Sequence, residues 1–161
     1  MRTAAVLLLA ALAAPASGTE DSKLDMIAFF TGKTHGENVM KIAFHHPHKL
    51  VIDSVGGRNK EGEFVLIDDV REEGKPARKR TWVMHPVTAN HFSGSLSDAN
   101  GPVDVVVSGD SATIRYVMRD GGLKIEQQLQ LQHDGTLASH VVARKFGMKF
   151  AQADGTIRKL D

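Results

Sequence analysis

No cysteine occurs anywhere in the 161 residues. Disulfides, a thiolate nucleophile, a Cys-ligated metal and a lipidated N-terminal cysteine are therefore all excluded, and packing alone has to hold the fold. Net charge is nearly absent too, with 20 Lys and Arg against 19 Asp and Glu. Nucleic acid and anionic membranes call for clustered basic charge. The one basic cluster, Arg71 to Arg80, also contains Glu72 and Glu73, so neither is expected as the main partner. The chain has no G-x-S-x-G, H-E-x-x-H, P-loop or G-x-G-x-x-G, hence no recognised catalytic motif and no expected cofactor. It also lacks a low-complexity linker and an internal repeat.

Long apolar runs are missing except near the start. Arg2, the apolar stretch Ala4 to Ala14 and the small residues Ala14-Pro15-Ala16 have the three-part layout of a secretory signal peptide over residues 1–16. Cleavage is predicted after Ala16, with Gly18 as second choice. The run is too short to span a bilayer as a stable helix, and Glu20, Asp21 and Lys23 follow at once. Residues 17–161 then form one domain of formally neutral charge. A periplasmic or secreted, soluble and monomeric protein without stable membrane insertion is expected.

What is present is β patterning. Turn residues recur every eight to twelve positions, including Gly36, Gly56-Gly57, Gly74, Pro86, Gly94, Gly121, Gly135 and Gly155, between runs rich in Val, Ile, Phe and Thr. This predicts an all-β sandwich or barrel of eight to ten antiparallel strands. Residues 22–30, SKLDMIAFF, place Leu24, Ile27 and Ala28 at helical spacing after a Ser22 cap, predicting one short helix ended by Gly32.

Register can be read in places. A two-residue Asp120-Gly121 turn sets Met118 opposite Leu123, Tyr116 opposite Ile125, Ile114 opposite Gln127 and Ala112 opposite Leu129. The other face then pairs Arg115 with Glu126, where water should be. A three-residue Glu73-Gly74-Lys75 loop sets Phe64 opposite Met84, Leu66 opposite Trp82 and Asp68 opposite Arg80. A two-residue Asp134-Gly135 turn aligns Leu129 with His140, Gln127 with Val142 and Ile125 with Arg144, and puts Phe146, Met148 and Phe150 on the same face. The predicted interior is apolar with polar exceptions at Asp68, Arg80, Tyr116, Gln127, His140 and Arg144.

The order FFTG at 29–32, RTW at 80–82, FSG at 92–94, DGT at 134–136, RKFG at 144–147 and IRKL at 157–160 resembles an uncharacterised bacterial envelope family, Domain of Unknown Function 3833. The layout also looks like a lipocalin-type barrel. The resemblance implies an all-β, lipocalin-like antiparallel barrel with a short N-terminal helix, in the cell envelope. It brings no catalytic residue. Members of the family are often lipoproteins, and the missing cysteine departs from that pattern.

Small barrels either fill their lumen or hold one small molecule. The expected ligand is therefore a small lipophilic or amphipathic molecule, bound by Arg80, Trp82, Tyr116, Gln127, His140 and Arg144. Arg80 or Arg144 would grip a carboxylate or phosphate. Against this, Arg80 can be neutralised by Asp68 as a structural ion pair and stack on Trp82. Alternatives are an isomerase- or cyclase-like enzyme using His140 with Asp68, or a structural envelope protein with a packed core. His45, His46 and His48 are conspicuous. Strand alternation splits them between two faces, so no metal site is assigned. Gln128, Gln130 and Gln132 read as a solvated exterior.

Overall fold

The computed structural model describes residues 23–160. The predicted signal peptide and the Ser22 cap lie outside them. Ten antiparallel strands follow one short helix: α1 (Met26–Phe30), β1 (Gly32–Ile42), β2 (His48–Arg58), β3 (Phe64–Glu72), β4 (Arg78–Thr88), β5 (His91–Leu96), β6 (Val103–Ser108), β7 (Ser111–Val117), β8 (Lys124–Leu131), β9 (Leu137–Lys145) and β10 (Met148–Leu160). Each strand pairs with its sequence neighbours, and β1 closes the ring on β10 from Lys33↔Leu160 to Ile42↔Ala151. Closure leaves no edge strand exposed. The expected all-β antiparallel barrel is thus a closed ten-stranded one.

The helix is shorter than the apolar spacing predicted. It is capped by Asp25, whose carboxylate accepts from the Ala28 N–H at 2.9 Å. Phe30 is buried against Gly56, where a Cβ would lie 2.1 Å from the Phe30 carbonyl oxygen. Gly56 is therefore the absent side chain that lets the helix seat on the wall. Several glycines expected to break strands, among them Gly36, Gly56, Gly94 and Gly155, lie inside strands. At Gly56, Gly94 and Gly155 the missing side chain permits close backbone approach, which sequence punctuation cannot tell from a turn. Lys159 ties β10 to the helix end, its Nζ donating to the Ala28 carbonyl at 2.8 Å and the Phe29 carbonyl at 3.1 Å. Up-and-down topology puts the β1–β2, β3–β4, β5–β6, β7–β8 and β9–β10 turns at the opposite end.

Two predicted registers are present. Strands β3 and β4 pair Phe64↔Met84, Leu66↔Trp82 and Asp68↔Arg80. Strands β7 and β8 pair Ala112↔Leu129, Ile114↔Gln127 and Tyr116↔Ile125, with Arg115 Nε donating to Glu126 at 2.8 Å outside. Here the chain reverses through residues 119–122 with Gly121 and Gly122 both at positive φ. The reversal is not the predicted two-residue turn, yet the pairing is unchanged.

The third register is corrected. The Gln132 N–H bonds the Thr136 carbonyl, so three residues, His133-Asp134-Gly135, make the turn, with Gly135 at φ 80°. Asp134 accepts from both the Thr136 N–H (3.0 Å) and its hydroxyl (2.7 Å), an Asx-type turn that stabilises the longer loop. Leu129 therefore faces Ser139, Gln127 faces Val141 and Ile125 faces Ala143. A one-residue slip flips every side chain. His140 and Arg144 consequently point outward and are exposed.

The largest packed cluster joins Leu24 and Phe30 at the helix end to Phe64, Met84 and Leu137 and extends to Trp82, Leu96 and Val103. A smaller one, around Ile125, Ala143 and Ala151, lies toward the other end. Leu137 is fully buried, 0% exposed. Leu137→Ala is expected to cost about 2–5 kcal/mol in urea unfolding, since the rigid wall cannot collapse onto the void. A loss under 1 kcal/mol would show that this end is not close-packed.

Candidate functional site

Even-numbered residues of β2, β3 and β4 point into the barrel, and this brings Ser54, Asp68, Arg80 and Trp82 together. Asp68 is only 2% exposed. Its Oδ1 accepts from the Ser54 hydroxyl at 2.6 Å, while Oδ2 accepts from Arg80 Nε at 2.7 Å and from Trp82 Nε1 at 2.8 Å. A buried carboxylate has to be satisfied in this way. The Arg80 guanidinium lies 5.2 Å from the Trp82 ring centroid, and Trp82 meets Tyr116 edge-on at 5.7 Å. Burial opposes the charge on Arg80, but Asp68, Tyr116 and Asp98 together outweigh it and the guanidinium is held above its ordinary range. Burial likewise raises the Tyr116 hydroxyl pKa, with Arg80 pulling the other way.

Arg80 spends only its Nε on Asp68. Asp68 leaves the terminal Nη atoms unused, and the guanidinium lies within hydrogen-bonding reach of the Tyr116 hydroxyl. Both residues line a cavity of about 580 Å³ that runs along the barrel axis. Its floor is Met26, Ile27 and Phe30 of α1, and its far rim includes Lys75, Arg119, Asp120 and Leu123 from the turns opposite. The helix thus closes one end, and the cavity leads to the other. The volume lies within the range of small-molecule sites.

Among the predicted site residues, Arg80, Trp82, Tyr116 and Gln127 line this cavity, and Asp68 and Arg80 form the expected ion pair. Gln127 Nε2 donates to the Ser139 hydroxyl at 2.9 Å. His140 and Arg144 are not in the lumen. His140 Nδ1 meets Asp154 at 2.5 Å on the outer surface, so the wall stands between His140 and Asp68 and the two cannot act as an acid–base pair. Asn38, Ser54 and Ser139 are cavity-lining polar residues that the sequence reading missed. Placing Leu131 and Leu137 inward, as their hydrophobicity asks, would have put Ser139 inside as well. Phe146 lies in the β9–β10 turn and Met148 just after it, both exposed, while Phe150 sits at a bulge between Lys149 and Ala151, partly exposed at the cavity rim.

The histidines are dispersed. His45 and His46 are exposed in the β1–β2 turn, and His48 Nε2 meets Glu72 at 2.8 Å. His35 Nδ1 meets Asp53 at 2.5 Å. Among the described residues no group of three His, Asp or Glu side chains is placed to hold a metal ion.

The model for the family described as protein of unknown function (DUF3833) matches residues 6–159. No curated protein matches the sequence. Among solved structures, the S-type phycobiliprotein lyase CPES from Guillardia theta superposes with a TM-score of 0.60 at 6% identity, over 81% of this chain and 88% of that one. A DUF3598-family protein of unknown function from Nostoc punctiforme gives 0.64 at 12% identity, over 89% of this chain but 53% of the other. Rv2717c from M. tuberculosis gives 0.60 at 12% identity, over 82% and 93%. At such identities the likeness is one of fold.

Asp68→Ala is expected to cost about 3–5 kcal/mol in denaturant unfolding, because it strands the Arg80 charge and the Trp82 N–H. Trp82→Phe, which removes one donor, should cost clearly less. Equal losses would mean that the carboxylate is not the hub.

The histidine pairs set a pH optimum. Hydrogen bonds donated to Asp53 and Glu37 raise the His35 pKa, and the bond donated to Glu72 raises that of His48, from the ordinary 6.5. Their stabilisation is complete below about pH 6.5 and is lost as pH rises through the elevated folded-state values. Glu72 runs the other way: burial raises it, but Lys75 and His48 together take it below its ordinary 4.5, so its contribution is lost on acidification. The melting temperature should fall between pH 6 and pH 8, and the fall should flatten in His35→Gln/His48→Gln. An unchanged slope in that variant would assign the effect elsewhere. Taken with the closed barrel, the family match over residues 6–159 places the chain in the DUF3833 family of proteins of unknown function.

Proposed function

We propose that this protein binds and carries a small amphipathic molecule with an anionic head in the bacterial envelope, after export on the leader at residues 1–16. The observation that carries the reading is the Arg80 guanidinium, its Nη atoms unused by Asp68, set beside the Tyr116 hydroxyl on the wall of a largely apolar cavity. Asp68 already has three donors, so it neutralises the charge without occupying the fork. A planar fork in an apolar wall suits a carboxylate or phosphate. Below it, Phe30, Phe64 and Met84 line space for a hydrocarbon tail. A lyase also uses a barrel of this fold, but the acid–base pair that the sequence offered here is split across the wall.

Trp82, the sole tryptophan, reports on this site. Titration with a long-chain carboxylate should shift its emission saturably, and Arg80→Gln should weaken binding by about 10- to 100-fold, the value of a charge-assisted hydrogen bond. The matching fatty alcohol should bind weakly to both proteins. Native mass spectrometry of protein from the periplasm, followed by solvent extraction, should identify the natural occupant. Equal affinity for acid and alcohol would remove the anionic head from the reading, and a clean mass with no titratable emission change would sink it.

A further inference from the structure

The end of the barrel away from the helix carries features that the fold itself does not require. Phe146-Gly147 is a two-residue turn between the paired Lys145 and Met148, with φ of 51° and 80°. Positive φ at both positions defines a type I′ turn, which favours Asn, Asp or Gly in the first place. A phenylalanine there is strained, and it is 89% exposed. Phe44, in the β1–β2 turn, repeats the pattern with φ 64° and 106% exposure. The two turns are neighbours, since β1 pairs with β10 and the Ala43 N–H bonds the Phe150 carbonyl at 3.0 Å. Met148 is exposed beside them at 71%.

Within these two turns the charge is one-sided, with Glu72 and Glu73 of the adjoining β3–β4 turn engaged by His48 and the Lys49 N–H. Residues 41–49 and 144–150 contain Lys41, Lys49, Arg144, Lys145 and Lys149 and no Asp or Glu. Arg144 stands opposite Lys124 on one side and Lys149 on the other, three like charges in register across β8, β9 and β10. Cross-strand repulsion of this kind costs stability unless something external is negative. Lys145 Nζ sits 5.7 Å from the Phe146 ring, aromatic and cation side by side. The neutrality of the whole chain, which speaks against an anionic membrane partner, thus hides a basic end with protruding aromatics.

We infer that the β1–β2 and β9–β10 turns dock the open end of the barrel on an anionic lipid bilayer, Phe44 and Phe146 entering the headgroup boundary and Lys124, Arg144, Lys145 and Lys149 facing the charged surface. Exposed aromatics ringed by Lys and Arg are how a peripheral protein holds to such a surface, apolar contact and charge adding together. The inference stands apart from ligand binding, although it sets the cavity mouth against a source of amphipathic molecules.

Co-sedimentation of the mature protein with vesicles of phosphatidylcholine, alone or with phosphatidylglycerol, tests it. Binding is expected to the anionic vesicles only and to fall steeply with salt. Phe44→Ser/Phe146→Ser and, separately, Lys145→Glu/Lys149→Glu should each reduce it by about tenfold or more, with no loss of melting temperature and the Trp82 titration unchanged. No binding, equal binding to neutral vesicles, or binding indifferent to both double variants would each overturn the proposal. So would a dimer in sedimentation equilibrium that Phe44→Ser/Phe146→Ser dissolves, since the turns would then belong to a second copy.

Discussion

The interior of this barrel is organised by a carboxylate that cannot be left alone. Asp68 lies at the centre of β3 with β2 and β4 on either side, and each neighbour contributes a donor to it. The three bonds do more than offset desolvation. They set the plane of the Trp82 ring, hold the Arg80 side chain across that ring, and leave Tyr116 to fill the edge contact from the far wall. With this cluster satisfied, and Gln127 bonded to Ser139 elsewhere on the wall, the lumen leaves no buried polar side-chain atom unpartnered among the described residues.

This hub was legible in the sequence because β3–β4 register follows from a short glycine loop and a run of alternating hydrophobicity. Asp68 opposite Arg80 and next to the sole tryptophan then needs no tertiary information. The β7–β8 register was legible for a subtler reason. The actual reversal differs from the predicted turn, but both connect the same partners, so the parity survived. At β8–β9 it did not. Asp134-Gly135 looks like a complete two-residue turn, and only the side-chain bonds to Thr136 recruit a third residue. One residue of loop length moved His140 and Arg144 from lumen to solvent. The same local choice put the barrel wall between His140 and Asp68.

Glycine was the other source of error. A glycine in a turn and a glycine under a docked helix look identical in a sequence, and Gly56 is of the second kind. Composition misled in a related way, since a total near zero says nothing about where the charges sit. Once the strands are in register, Lys124, Arg144 and Lys149 become neighbours although twenty-five residues of sequence separate the first from the last.

The helix end has a practical geometry as well. Lys23, before α1, and Leu160, at the end of β10, both lie there, a full strand length of roughly 3 nm from the mouth at about 3.3 Å per residue. Any attachment made through either end of the described chain, be it a tag, a fluorophore or a surface linker, would hold the barrel by its closed base and leave the opening pointing away.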